Sequence, residues 1–293
     1  MPRPLPMESK TPDGVLLVDK PAGMTSHDVV AIVRRASGVR RIGHAGTLDP
    51  FATGLLVLLG GNGTRLVPYI DAEPKVYDAA IVFGAETDTD DHTGTVTRQA
   101  PLPATNGIDG AIAQLTGTID QLPPAYSAKK VEGRRAYDAA RRGDAIELKP
   151  VKVTVHSWLV TDRTPERLRV RITCAGGTYI RALARDLGRL SDSAAHLAEL
   201  RRVASGPFRV ADAQPMDRIQ SGDMHWLPLT AAIPSLPTQR LDASAAARVA
   251  HGNSVASSVA ASRVAMIDEM GELLGVADSR DGLLQPRLVL RHA

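Results

Sequence analysis

The sequence contains little cysteine and few aromatic residues. Its one cysteine, Cys174, excludes an intramolecular disulfide and a cysteine-rich metal site. A lone thiol suits a reducing compartment, so we expect a cytoplasmic protein. Only two Trp, five Tyr and three Phe occur among 293 residues. This scarcity argues against RNA-binding modules that stack several bases on rows of aromatic rings.

Long apolar runs are also missing from the sequence. No stretch reaches the roughly 18 apolar residues that a membrane-spanning helix needs. Residues 1–12 are rich in proline and lack the apolar segment of a secretory signal. We therefore expect no membrane partner. Because 43% of the residues are hydrophobic and 23% are charged, the chain should fold as a globular protein with a sizeable core.

Positive charge comes mainly from arginine and is distributed unevenly. The chain has 28 Arg and 7 Lys, and its formal net charge is +3. Residues 71–91 carry a net charge of −6, whereas 129–152 carry +4 and 163–209 carry +6. Arginine binds phosphate and carboxylate groups in a bidentate manner. The pattern indicates a basic surface beside an acidic pocket, although ordinary solvated faces would produce the same segregation.

Apolar periodicity predicts both helices and strands. A helix should follow a cap at Thr25 or Ser26 and end before Gly38. The clearest helix is predicted at 177–190, with Arg181, Arg185 and Arg189 on one face. That face is interpreted as a solvated basic surface, above all for Arg185 and Arg189. Strands are predicted from apolar runs or alternation at 14–19, 54–59, 77–83, 151–155 and 168–174.

The last part of the sequence predicts a small helix-plus-β module. Three prolines interrupt residues 227–237 and mark a boundary. Beyond it we expect a short helix at 242–250 and a hairpin whose strands are 264–267 and 273–277. A final strand at 283–290 is expected to be interrupted at Pro286.

The densest motif is residues 43–54, GHAGTLDPFATG, which holds three glycines, His44 and Asp49. Pro50 forces Asp49 out of helical backbone angles, and the glycines permit sharp bends or a close approach to a ligand. An aspartate held in this way is a candidate nucleophile or base. A turn aspartate that caps the following segment would fit the same residues.

Several motifs in order resemble those of the TruB-type tRNA pseudouridine synthases. They span most of residues 14–210 and comprise GVLLVDKPAG at 14–23, the block at 43–54, KVY at 75–77, TDTDD at 87–91, PAYSA at 124–128, GTYIR at 177–181 and LRR at 200–202. The resemblance implies an isomerase that converts uridine 55 in the T-arm of tRNA to pseudouridine. No cofactor and no metal are implied, because the reaction has no redox step and no group donor.

The resemblance also implies an α+β architecture in two domains. A pseudouridine synthase catalytic domain with an antiparallel-rich sheet should occupy residues 1–230. A basic insertion at about 125–152 should close over the T-loop. A small β-rich, PUA-like RNA-binding domain should occupy residues 238–293. We expect a monomer whose partner is the T-arm stem-loop of tRNA.

The residue roles follow from matching positions in the family motifs. Asp49 matches the catalytic aspartate, Arg181 the arginine that pairs with it, and Tyr77 the ring that stacks on the flipped uracil. The aspartate would act on the ribose, either by attack on C1′ or by removal of a proton from C2′. Substrate-binding roles are implied for His44, which would fill the gap left by the base, and for Lys20, Asp91, Leu200, Arg141 and Arg142.

Other interpretations of the sequence stay open. The chain could be a non-catalytic RNA-binding or RNA-folding protein, or a synthase that acts on a different uridine. Asp49 together with an acid from residues 88–91 could also serve a glycosidase or nucleosidase. Three aspartates within 88–91 superficially resemble a metal loop, but the glycine and distal glutamate of a calcium loop are missing.

Overall fold

The computed structural model describes residues 13–126, 130–131, 134–135 and 148–290. The described residues form two compact units. The first unit comprises the described residues within Met1–Pro50, Gly54–Ala72 and Pro207–Ala293. The second unit comprises those within Phe51–Thr53 and Glu73–Gly206.

Five α-helices and eighteen strands occur in the described part of the chain. The helices are α1 (Ser26–Ser37), α2 (Thr105–Gln114), α3 (Ile180–Leu190), α4 (Met216–Ser221) and α5 (Ala243–Ala250). Three short 3-10 helices lie at Gly61–Leu66, Val210–Asp212 and Leu229–Ala232. No helix among the described residues is long and apolar enough to cross a membrane.

The strands are short to medium in length, and the three longest are β4, β10 and β12. In chain order they are β1 (Gly14–Lys20), β2 (Ile42–His44), β3 (Thr53–Gly60), β4 (Lys75–Phe83), β5 (Ala85–Thr87), β6 (Val96–Gln99), β7 (Gly117–Gln121), β8 (Lys130–Val131), β9 (Arg134–Arg135), β10 (Val151–Arg163), β11 (Arg167–Cys174), β12 (Ala195–Ser205), β13 (Phe208–Arg209), β14 (Thr238–Arg240), β15 (Val255–Ala256), β16 (Arg263–Ile267), β17 (Leu273–Arg280) and β18 (Leu283–Val289).

In the first unit, β1 and β2 both run antiparallel to β3. Lys20 lies opposite Gly54, and His44 lies opposite Leu58. Alternate side chains of β1 and β3 enter two separate apolar cores. Because both faces are covered, these strands are continuous apolar runs in the sequence. The strands predicted at 14–19 and 54–59 are confirmed.

Local signals set both ends of α1, as predicted. The Thr25 hydroxyl accepts a hydrogen bond from the backbone N–H of Asp28 (3.0 Å), and the Asp28 carboxylate accepts one from the N–H of Thr25 (2.8 Å). This reciprocal pair is a capping box. Gly38 ends the helix at φ 72°, a left-handed conformation that glycine adopts without strain. The inner face of the helix buries Val29, Val30 and Val33.

The second unit is built on an antiparallel sheet. Its strand order is β12, β4, β11, β10 and β7, and each neighbouring pair is antiparallel. Helix α3 packs closely on β12, because a Cβ atom at Gly188 would collide with the backbone of Ala195. The predicted mixed α/β fold with an antiparallel-rich sheet is confirmed.

The sequence prediction for α3 needs two corrections. The helix begins at Ile180 rather than at residue 177, with Tyr179 as its N-cap. Leu190, predicted on the apolar stripe, is 42% exposed at the last residue of the helix. Ile180, Leu183 and Leu187 are buried as expected.

The C-terminal residues form a five-stranded sheet in the order β14, β16, β17, β18 and β15. The predicted hairpin of β16 and β17 is confirmed, and Asp242 caps α5 through a bond from the N–H of Ala245 (2.7 Å). Pro286 does not interrupt the last strand, contrary to prediction. It pairs opposite Ala277 at a register shift, which accommodates a residue without an N–H group. The boundaries 1–230 and 238–293 stay a prediction.

Candidate active site

Asp49 lies in the loop between β2 and β3, and the residue before it is fixed by α1. The backbone N–H of Leu48 donates to the Ser26 hydroxyl (2.9 Å), and that hydroxyl donates to the Leu48 carbonyl (3.2 Å). Ser26 and Leu48 are both buried, with 1% and 3% exposure. Asp49 itself is half-buried. Its N-terminal flank is therefore held by two buried hydrogen bonds.

The residue after Asp49 is fixed by the segment that follows β1. The Pro50 carbonyl accepts hydrogen bonds from the N–H of Gly23 (2.8 Å) and from the ammonium of Lys20 (3.2 Å). Lys20 is fully buried and also donates to the carbonyls of Pro21 (2.9 Å) and Met24 (2.7 Å). Lys20 therefore joins the turn after β1 to the Asp49 loop. Its predicted contact with substrate stays a prediction.

His44 ends β2, four residues before Leu48. Its half-buried ring meets that of His27 edge to face, with centroids 5.7 Å apart and an interplanar angle of 83°. The first unit thus holds three of the predicted site residues, Lys20, His44 and Asp49.

Tyr77 and Leu200 lie on one face of the sheet in the second unit. Tyr77 is on β4 opposite Arg202 of β12, and Leu200 lies opposite Ala79, two positions along. Residues two apart on a strand point to the same side, so the Tyr77 ring and the Leu200 side chain are diagonal neighbours. Both are 7% exposed.

Two cations beside Tyr77 were not among the predicted site residues. Arg202 is 1% exposed, and Lys75 lies two residues before Tyr77 on the same face of β4. Burial lowers the pKa of Lys75, and the positive charge of Arg202 lowers it further. Both residues belong to motifs quoted above, KVY and LRR, but a motif alone does not show on which face a side chain lies.

Arg181, in the first turn of α3, binds two separate segments. Its guanidinium donates to the carbonyls of Thr89 (2.8 Å) and Tyr126 (2.9 Å). The Asp91 carboxylate lies 3.7 Å from the same guanidinium, and both side chains are buried. The structure therefore brings together two of the predicted residues, Arg181 and Asp91.

Asp91 is held from its own turn as well. One carboxylate oxygen accepts hydrogen bonds from the Thr89 hydroxyl (2.9 Å), from the Thr93 N–H (2.9 Å) and from the Thr93 hydroxyl. These bonds fix the carboxylate beside Arg181 and give one of its oxygens three hydrogen-bond donors. Within the ranges that the structure describes, no group of three or more His, Cys, Asp or Glu side chains could hold a metal ion.

The predicted solvated face of α3 is wrong for Arg185. This side chain is 7% exposed and donates to the Asp90 carboxylate (2.9 Å), the Asp186 carboxylate (2.9 Å) and the Leu122 carbonyl (2.8 Å). Arg189 is half-exposed and binds the buried Glu86 (2.7 Å). Helical spacing gave the shared face correctly. It did not show that the acidic segment 86–91 lies against that face.

Burial changes the acid–base behaviour of this acidic segment. It raises the pKa of Asp90 to about 6, even though Arg185 and Arg181 lower it. Asp90 also has a left-handed backbone, with φ 60°.

Arg141 and Arg142, predicted to bind phosphate, lie outside the described residues. Of the predicted basic insertion, the structure describes the strand pair β8 and β9 and the residues at its two ends.

Two family models match the chain. The model for TruB family pseudouridylate synthases (N-terminal domain) matches residues 34–180. The model for the C-terminal domain of pseudouridine synthase II TruB matches residues 237–290. The proteins of this class are isomerases that form pseudouridine.

Curated relatives match over most of the chain. A protein named tRNA pseudouridine synthase B from Thermobifida fusca is 44% identical over 288 residues, which cover 94% of this chain and 98% of the relative. A protein of the same name from Symbiobacterium thermophilum is 44% identical over 245 residues, which cover 82% of each chain. The chain belongs to the TruB family of pseudouridine synthases.

Solved structures agree with the fold. A chain from the crystal structure of a Cbf5-Nop10-Gar1 complex has a TM-score of 0.71 at 22% identity, with 96% of this chain and 85% of that chain covered. A chain from an H/ACA RNP bound to a substrate RNA containing 2′-deoxyuridine has a TM-score of 0.69 at 22% identity, with 95% and 85% covered. The observed fold is therefore one that other solved proteins share.

Proposed function

We propose that this chain converts uridine 55 in the T-arm of tRNA to pseudouridine, with Asp49 as the catalytic carboxylate. The observation that carries the proposal is the anchoring of Asp49 on both flanks, by Ser26 at Leu48 and by Lys20 and Gly23 at Pro50. A carboxylate that must act on one ribose accelerates the reaction more when it is held in a fixed position. The names of these relatives support tRNA as the substrate.

The proposed reaction rearranges the target nucleotide without any added reagent. The C1′–N1 bond breaks, the uracil turns, and a C1′–C5 bond forms. C5 loses its proton and N1 gains one, so atoms and electrons balance without a cofactor. Asp49 would act either by attack on C1′ or by removal of a proton from C2′. Both routes require an ionised carboxylate, which a neighbouring cation favours.

The remaining roles follow from the chemistry of each side chain. Arg181 would supply the cation for Asp49, because a guanidinium stays charged when buried. The Tyr77 ring would stack on the extruded uracil, with Leu200 against the same base. His44 would fill the gap in the RNA stack and offset part of the cost of extrusion, which is a few kcal/mol. Lys20, Asp91, Arg141 and Arg142 complete the proposed substrate-binding set.

The proposal includes the organisation of the protein. We place the catalytic domain at residues 1–230 and a PUA-like RNA-binding domain at 238–293, in a cytoplasmic monomer. Basic residues of the insertion would contact phosphates, which gives affinity but reads no sequence.

Mapping pseudouridine in tRNA from cells with and without the protein tests the proposed target. We expect position 55 to be uridine in the deletion strain and to be restored by the wild-type gene, but not by an Asp49→Asn gene. If pseudouridine is lost at a different position instead, that position and not uridine 55 is the target. An unchanged tRNA in the deletion strain would contradict the proposal.

A further inference from the structure

Two arginines on successive turns of α3 bridge the same two segments. Arg181 joins the Thr89 carbonyl to the Tyr126 carbonyl (2.8 and 2.9 Å). Arg185, four residues later, joins the Asp90 carboxylate to the Leu122 carbonyl (2.9 and 2.8 Å). The turn at 87–91 and the segment at 122–126 are therefore each fastened to α3 at two points.

Asp90 lies between two residues of the same turn that contact Arg181. Thr89 supplies a carbonyl acceptor and Asp91 a carboxylate, and Asp90 separates them in the sequence. The Asp90 side chain is 9% exposed, and its backbone is held at φ 60°. A non-glycine residue keeps this left-handed backbone conformation only when the surrounding structure holds it there. Its ion pair with Arg185 fixes it from one side.

We propose that the Arg185–Asp90 ion pair is a positioning element, which orients Arg181 by holding the turn that carries Thr89 and Asp91. The inference rests on the proposed function, in which Arg181 serves the catalytic Asp49. The guanidinium of Arg181 can bind a further partner in a defined direction only while the Thr89 carbonyl and the Asp91 carboxylate stay in place. Neither Asp90 nor Arg185 needs to touch substrate in this role.

The outer pair on the same helix provides a matched comparison. Arg189 binds Glu86 (2.7 Å), as Arg185 binds Asp90, but it lies two turns from Arg181 and is half-exposed. Glu86 also keeps Arg98 as a partner (2.6 Å). A change at Arg189 therefore removes a similar ion pair without loosening the turn at Thr89 and Asp91.

The ion pair should make activity sensitive to mild acid. Burial raises the pKa of Asp90 to about 6, so its carboxylate becomes protonated as the pH falls through that value. Protonation removes the charge that holds Arg185, and kcat should fall on the acid side. The other titratable and charged groups that face this segment are Arg181, Asp186 and Arg189 of α3, Arg98 of β6 and His196 of β12.

The first test compares kcat and KM of three proteins on a T-arm stem-loop at pH 7.5. We expect Asp90→Asn to lower kcat about tenfold, which is about 1.4 kcal/mol in activation free energy, with KM within about twofold. The acid fall of kcat with a midpoint near pH 6 should disappear in this variant. Arg189→Gln should keep the wild-type kcat and the acid fall. A wild-type kcat in Asp90→Asn would overturn the proposal.

A double-mutant cycle separates positioning from a general structural effect. If Asp90 acts through Arg181, Asp90→Asn should have no further effect on single-turnover rates in an Arg181→Lys background. A tenfold loss in both backgrounds would overturn the proposal. Arg185 keeps Asp186 as a counterion, which favours folding of Asp90→Asn. If that variant unfolds, Arg185→Lys, which keeps the buried charge but not the fork, takes its place in the same cycle.

The two proposals fail in different ways. An inactive wild-type protein on the T-arm substrate would contradict the proposed function and, with it, the positioning role that rests on that function. An active wild-type protein whose Asp90→Asn and Arg185→Lys variants are equally active would contradict only the positioning role.

Discussion

Ser26 holds both peptide groups of Leu48, the residue before Asp49. Its hydroxyl accepts from the Leu48 N–H (2.9 Å) and donates to the Leu48 carbonyl (3.2 Å), 22 residues along the chain. A serine hydroxyl can do both at once because it carries one donor and two acceptor sites. The first turn of α1 thereby fixes the loop of the proposed catalytic aspartate.

Removing this hydroxyl should cost both stability and activity. Ser26→Ala leaves a buried N–H and a buried carbonyl without these bonds, and we expect a loss of about 1–3 kcal/mol in unfolding free energy. The rate on a T-arm stem-loop should fall because the loop loses its anchor. Ser37→Ala is the control, since it removes a hydroxyl bonded to Val33 at the other end of α1 (2.7 Å). Equal activities of the two variants would contradict the account.

Lys20 should behave as a buried anchor of the same loop. Lys20→Met keeps a side chain of similar length but removes an ammonium group that binds three carbonyls. A hydrogen bond to a charged group contributes about 1.5–3 kcal/mol to stability. We therefore expect Lys20→Met to lower both the thermal midpoint and kcat clearly. The matched control is Arg218→Met, because Arg218 forms an exposed pair with Asp223 that is worth at most about 1 kcal/mol. A loss no larger than that of the control would refute the anchoring role.

Glu86 should give a stability difference that depends on pH. Burial raises the pKa of its carboxyl, but Arg189 and Arg98 outweigh burial and hold the pKa below its usual value of 4.5. A carboxyl with a lower pKa in the folded state stabilises the fold above the unfolded pKa, and this contribution is lost as the pH falls through the folded pKa. Glu86→Gln should therefore be destabilised at pH 7 by about 1–3 kcal/mol.

Urea unfolding of wild type and Glu86→Gln at pH 7 and at pH 3 measures this effect. The difference between the two proteins should shrink at the lower pH, where the wild-type carboxylate is increasingly protonated. A difference of the same size at both values of pH would show that the ion pairs do not account for it.

Part of this organisation could be predicted from the sequence, because its causes are local. Thr25 and Gly38 mark the ends of α1, and the apolar run at 14–19 predicts a strand covered on both faces. The pairing of Arg185 with Asp90 could not be predicted, since the two residues are 95 positions apart and helical spacing shows only which residues share a face. The outer position of Leu190 and the place of Pro286 inside β18 also depend on tertiary packing.

Cys174 should be unreactive in the folded protein. Its side chain on β11 is fully buried, and burial raises the pKa of the thiol to about 11. Because the thiolate is the reactive form, we expect no alkylation by iodoacetamide at pH 7.5. In denaturant the same protein should take up one equivalent, since the chain has a single cysteine. Rapid labelling of the native protein would contradict the buried position.

The most direct measurement compares wild type and Asp49→Asn on a T-arm stem-loop in vitro. Product formation and RNA affinity are measured separately, and circular dichroism confirms that the variant is folded. The account predicts that Asp49→Asn forms no pseudouridine and binds the RNA within about tenfold of wild type, since loss of a group used only in the transition state affects rate rather than binding. Turnover comparable to that of the wild type would contradict the assignment of Asp49.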